Sequence, residues 1–379
     1  MEPVVFKPPL YQQRYQFVKS YVDTYKPKKV ADLGCSECAL LHTLRFWDCI
    51  EVLVGLDIDE DVLRRKMHTL TPLAAHYLEP SKTSLTVNLY QGSVTQKDPA
   101  LLGFDLITCI ELIEHLKADD LADFREVLFG FMAPFTVIIS TPNAEFNILL
   151  PKCTGFRHPD HKFEWNRREF QSWATEVAEC FNYRVEFTGV GEPLQDSKNV
   201  GFCSQIAVFT RNYTESEESL KRKMEYKSVY KTVLHAVYPS LQEEKYLRQA
   251  VQKVALFHAY QIKANFLQQF IPKEENEESH NTDTEDEEPH NTDNEHGHCM
   301  DLKLTSKWPT LPQTEQDENM EPFLQGDTLY VPLQKIFCVP KVKELCGNMD
   351  NLRTMITGEA TLSTDGNAIL YHVDLENSF

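Results

Sequence analysis

The sequence predicts an α/β fold built on an open, mostly parallel sheet, and three observations carry that expectation. Short apolar runs with strand composition alternate with helical patterns through residues 29–140, the arrangement that sets helices on both faces of a parallel sheet. The first run, KVADLGC at 29–35, ends in an acid and a glycine turn before the helical ALLHTL of 39–44. The second, VLVGLD at 52–57, ends in an acid 25 residues after Asp32. That spacing suits a carboxylate gripping ribose hydroxyls at the carboxyl ends of the strands.

Composition bounds the rest. The 379 residues, 42% hydrophobic and 11% aromatic, suffice for a domain of about 200 residues plus appendages. No basic region followed by a long apolar one opens the chain, so no signal peptide is expected, and no apolar run reaches membrane-spanning length. The ten cysteines are expected to be reduced thiols. Cys35 and Cys38 have CxxC spacing, yet nothing completes a zinc site. The net charge is −19, but residues 273–296 hold eleven acids against one lysine. Any polynucleotide contact must therefore be local rather than spread over a basic surface.

In chain order, residues 1–24 form an N-terminal arm: FKPPL at 6–10, whose prolines exclude a strand interior, then the helical YQQRYQFV of 11–18. The first two strands follow. LTVNLY at 85–90, leading to Gly92 and Ser93, gives a third strand, Phe104–Ile110 a fourth and Phe135–Ser140 a fifth. Residues 212–270 read as a helical extension, with Leu247, Val251, Val254, His258 and Ile262 on one docking face. Lys221–Lys223 reads as a solvated face. Residues 271–326 form an acidic linker, with HNTD at 280–283 and 290–293, too polar to bury a core and expected to be disordered. Residues 327–379 turn apolar again, a small ordered segment expected to return to the catalytic domain.

Metal-binding side chains crowd the end of the fourth strand, in FDLITCIELIEHL at 104–116. On a first helical turn Glu111, Glu114 and His115, at i, i+3 and i+4, would share one face. Two carboxylates so close repel each other, and a divalent cation relieves the repulsion. A solvated helix start is the alternative for this stretch alone.

The acid–x–glycine turn and the acid after strand two resemble the class I S-adenosylmethionine-dependent methyltransferases. That resemblance implies a seven-stranded sheet with an antiparallel edge, supplied by 183–190 and 202–209, and a domain spanning 25–211. It also implies cofactor contacts from Asp32 and Gly34, from Asp57 to the ribose, and from Ser93 near the adenine. Phe-x-Pro-Pro at 6–9, Glu-x-x-Glu-His at 111–115 and DHKFEW at 160–165 further resemble the Hua enhancer family of small-RNA 2′-O-methyltransferases. By that resemblance Glu111, Glu114, His115 and His161 bind Mg²⁺ or Mn²⁺, with Glu114, His115 and His161 catalytic and His158 as rival ligand. Phe6, Pro8, Pro9, Arg157 and Lys162 hold the RNA end. The departures are Ser36 and Glu37 in the cofactor turn. With no room before Phe-x-Pro-Pro for an upstream double-stranded RNA-binding domain, single-stranded substrates are expected. The animal branch then implies PIWI-interacting RNAs as substrate, PIWI-family proteins as partners, a monomer, and residence in cytoplasmic germ granules.

Overall fold

The computed structural model describes residues 5–150, 155–192, 200–270 and 320–373. The chain forms two compact units, Met1–Tyr246 and Leu247–Phe379. Among the described residues no helix is long and apolar enough to cross a membrane.

In the first unit, α1 (Leu10–Tyr25) leads into β1 (Lys29–Leu33), α2 (Ala39–Leu44), β2 (Val52–Asp57), α3 (Glu60–Lys66), α4 (Ala74–Leu78) and β3 (Thr86–Gln91). Then come β4 (Leu106–Ile110), α5 (Ala118–Arg125), β5 (Thr136–Pro142), α6 (Arg167–Phe181), β6 (Tyr183–Val190), β7 (Ser204–Arg211), α7 (Glu217–Met224) and β8 (Lys231–Val237). The sheet runs β6-β7-β5-β4-β1-β2-β3-β8. Strands β1 to β5 are parallel, while β6, β7 and β8 run antiparallel to their neighbours. All seven residues of β5 are buried, as are four of the five in β1, because helices cover both faces of a parallel sheet.

The sheet thus has eight strands and two antiparallel edges where seven strands and one edge were expected, and the stretch expected to be wholly helical contains β8. The buried Asp98 carboxylate explains the placement. It accepts the Val229 and Tyr230 amides at 2.6 and 2.8 Å and the Ser228 hydroxyl at 2.8 Å, fixing the chain beside β3. The Tyr230 hydroxyl donates to the Gln96 carbonyl at 2.9 Å. Its ring packs on Gly92, where a Cβ would come within 2.3 Å of Tyr230 Cδ1. The fold of the first unit therefore runs well past Arg211.

The second unit contains α8 (Glu244–Gln268, starting just before the boundary), β9 (Phe323–Gln325), β10 (Thr328–Pro332), α9 (Leu333–Phe337), α10 (Pro340–Cys346), α11 (Met349–Ile356) and β11 (Ala368–His372). Its sheet is ordered β11-β10-β9. Val251, Ala255 and Ala259 of α8 are buried with Leu329, Val331, Ile336, Leu352 and Ile369, and Leu247, Val254 and Ile262 pack around them. The apolar segment after residue 327 thus shares a core with α8. The acidic linker lies outside the described residues except for 320–326, where β9 already begins.

Candidate active site

Strand β4 ends at Ile110, and Glu111 then takes a left-handed backbone conformation, φ 53°, strained for a non-glycine residue. The chain continues into a 3₁₀ turn, Ile113–His115. This corrects the single helical face expected for Glu111, Glu114 and His115. Glu111 lies before the turn, and its carboxylate is already held. Oε1 accepts the Ser140 and Ser204 hydroxyls at 3.0 and 2.6 Å, and Oε2 lies 3.4 Å from Arg14 Nη1.

Glu114 is fully buried. Thr141 Oγ1 donates to its Oε2 at 3.0 Å, and the Lys162 amide donates to its backbone carbonyl at 2.7 Å. Oε1 is buried without a hydrogen-bond partner. Burial, then the neighbouring Glu111, push the Glu114 carboxyl well above its ordinary range, with Arg14 acting against them. One ligand atom from each of Glu114, His115 and His161 falls within 4.8 Å of the others. Glu111 is not in that set, and neither is His158, whose side chain is 54% exposed. An orphaned buried carboxylate oxygen beside two imidazoles is a donor set that fits a divalent cation.

His161 is brought there by the loop after β5. Its Nδ1 lies 2.6 Å from Glu164 Oε1, and both side chains are buried. Burial works against the Glu164 charge, yet hydrogen bonds from Asn147, Arg157 and His161 hold the carboxyl below its usual range. Arg157 is engaged within its own chain. Its Nε donates to Asn147 Oδ1 at 2.6 Å, Nη1 to the Cys203 carbonyl at 2.9 Å and Nη2 to the Asn143 carbonyl. The guanidinium ties the loop to the ends of β5 and β7. Phe6 likewise packs its ring against Phe146, 5.9 Å between centroids, whereas Pro8, Pro9 and Lys162 are exposed.

Beside β4 in the sheet, the turn after β1 carries the cofactor candidates. Gly34 has φ 73°, and a Cβ there would meet Leu112 Cδ1 at 2.7 Å, so a side chain at this turn would be strained and would have to displace Leu112 on the loop after β4. Asp57 accepts the Ser36 amide at 2.8 Å and the Asp59 amide at 2.9 Å. Ser36 itself adopts φ 42°, the conformation a glycine would supply more cheaply. Asp32 is buried with Thr108 Oγ1 donating at 2.7 Å, and burial pushes its carboxyl up to about 7. Ser93 Oγ pairs with Thr95 Oγ1 at 2.8 Å. Cys35 and Cys38 are both buried free thiols.

Sequence reasoning missed several members of this site. Arg14 reaches Glu111 from α1, and Tyr15, next to it, has its hydroxyl pushed up to about 12 by burial and then by Asp32. Ser140, Thr141, Ser204 and Asn147 are ordinary polar residues in sequence, with no signal to single them out. Glu164 did have one, since it lies inside the DHKFEW motif.

Residues 245–373 match the family described as the HENMT1 C-terminal domain. A small RNA 2′-O-methyltransferase of Xenopus tropicalis is 86% identical over 378 residues, covering 100% of both chains. One of Gallus gallus is 51% identical, covering 99% of this chain and 96% of its own. The crystal structure of the small RNA methyltransferase HEN1 superimposes with a TM-score of 0.53 at 32% identity, over 63% of this chain and 28% of that one. The first unit has the class I S-adenosylmethionine-dependent methyltransferase fold, and the chain belongs to the small RNA 2′-O-methyltransferase family.

Proposed function

We propose that this protein transfers a methyl group from S-adenosylmethionine to the 2′-hydroxyl of the 3′-terminal nucleotide of single-stranded small RNAs, in a reaction that needs a divalent cation. Glu111, Glu114, His115 and His161 would hold Mg²⁺ or Mn²⁺. The observation that supports this most is the buried, unpartnered Oε1 of Glu114 beside the two imidazoles. A cation at that place supplies charge stabilisation to a developing alkoxide, the effect that lowers the pKa of water from about 15.7 to about 7. Asp32, Gly34, Asp57 and Ser93 would hold S-adenosylmethionine, the methyl source, on the neighbouring strands.

The chain's own residues then divide the remaining work. Glu114 would offer a hard oxygen donor within the cluster, and Glu111 would add its Oε2 by giving up the 3.4 Å contact with Arg14, a set that would leave a cation room for the vicinal 2′ and 3′ oxygens. Only the last nucleotide of an RNA has both hydroxyls free, which would make the site selective for 3′ ends. Glu114, His115 and His161 would form the catalytic group by holding the cation, and because each imidazole's lone pair would be committed there, the hydroxyl proton would pass to solvent. Pro8, Pro9 and Lys162 would flank the RNA end, with Phe6 seating the arm that carries the prolines.

The family resemblance extends the reading to PIWI-interacting RNAs, delivered by PIWI-family proteins to a monomeric enzyme in cytoplasmic germ granules. A chain of net charge −19 would draw much of its RNA affinity from such a partner. Labelled methyl transfer to a short RNA tests the core of this reading. Transfer is expected to a 3′-terminal diol with metal present, and to be lost with a 2′-deoxy or 3′-phosphate end or with chelator. Equal labelling of the blocked ends would overturn it.

A further inference from the structure

Glu164 lies within the motif loop, but none of the roles above uses it. We propose that Glu164 is the positioning residue that sets which nitrogen of His161 faces the candidate metal site. The proposal rests on the reading that His161 is a metal donor.

Asn147 Nδ2 donates to Glu164 Oε2 at 2.6 Å and the Arg157 amide donates to Oε1 at 2.5 Å. Each oxygen thus already accepts an N–H, the pattern a carboxylate makes, and with Glu164 as the acceptor the 2.6 Å contact with His161 is completed by a hydrogen on Nδ1. A neutral imidazole protonated there keeps a lone pair only on Nε2. The contact therefore fixes two things at once, the tautomer and the plane of the ring. Glu164 has little freedom to do otherwise: its side chain is 1% exposed and that of His161 7%, with Asn147 holding Oε2 and the Arg157 amide sharing Oε1. His158, three residues earlier, is held differently: its Nδ1 accepts the Asp160 amide at 3.3 Å, and the nearby Asp160 carboxylate, at 3.6 Å, is largely exposed. That difference gives a physical reason for one histidine, and not the other, to join Glu114 and His115.

A purely structural reading makes Glu164 only a staple for the loop, and the two readings part on metal affinity. Mn²⁺ titration calorimetry on the full chain, without RNA or S-adenosylmethionine, compares wild type with Glu164→Gln. A positioning role predicts binding weaker by about 10–100-fold, with S-adenosylmethionine affinity unchanged. Mn²⁺ affinity within twofold of wild type would overturn it, as would a parallel loss of S-adenosylmethionine binding. If Glu164→Gln does not fold, nitrogen chemical shifts of the metal-free wild type decide. The tautomer with its hydrogen on Nδ1 is expected, and the tautomer with its hydrogen on Nε2 would overturn the proposal. A wild-type chain that binds no Mn²⁺ sinks the metal-site reading and this inference with it, whereas normal binding by a folded Glu164→Gln sinks only the inference.

Discussion

Acidic side chains stand at the carboxyl ends of both β1–β2 and β4, and the two groups are treated differently. Asp57 receives two backbone amides, and Asp32 receives a threonine hydroxyl. Beyond β4, Glu111 takes two hydroxyls and an arginine, whereas Glu114 is buried with one oxygen bare. Of the first pair, Asp57 is compensated by its amides, whereas Asp32 is buried with its carboxyl pushed up to about 7 and lies outside the clustered metal-binding side chains. The second leaves a buried carboxylate incompletely compensated, an arrangement stabilised by a cation and expensive without one.

Glu114→Ala breaks this contrast most directly. In the proposed reaction it removes about 4 kcal/mol or more of transition-state stabilisation, roughly 1,000-fold in rate, and His161→Ala should match it. Because Glu114 is costly to bury, the metal-free Glu114→Ala chain should melt no lower than wild type, which calorimetry checks. A melting point several degrees lower would mean the carboxylate is already compensated.

Asp32 sharpens the comparison from the other side. Its carboxyl titrates near 7 when folded but near 3.9 when unfolded. Between those values the folded chain keeps a proton the unfolded chain has lost, so this residue makes stability fall as pH rises. Asp32→Asn should therefore leave stability unchanged near pH 4 and raise it at pH 8 by a few kcal/mol, up to about 4. Urea midpoints at the two pH values read this out. Arg157→Ala should lower stability by about 1–3 kcal/mol through unpaired carbonyls, visible as a lower urea midpoint. The smallest effect belongs to His158→Ala, with less than about a threefold change in methyl transfer under metal-saturated conditions, because its imidazole lies outside the clustered donors.

Most of the sheet was legible because buried parallel strands are nearly continuous apolar runs, as in VADL and TVIIS. β8 was not. Only Ala236 of its seven residues is buried, and its position depends on Asp98, 130 residues upstream of Ser228. The metal-ligand candidates were visible as residue types, but the shape of their loop was not. A left-handed Glu111 cannot be read from side-chain spacing, so a helical face was expected where a bend occurs. The same limit applies to Arg157, whose charge suggested RNA while its hydrogen bonds lead to carbonyls of its own chain. Choosing His161 over His158 needed the motif, since spacing alone treats the two alike.

The contact between Tyr230 and Gly92 bears on how this enzyme can be shortened. A fragment cut after Arg211 would keep seven strands and every candidate donor, yet it would strip the bracing ring from the turn that leads to Ser93. It would also leave the Asp98 carboxylate without its three donors from residues 228–230. Any minimal catalytic piece must therefore continue through Tyr238, whose buried hydroxyl closes on the Leu70 carbonyl at 2.9 Å.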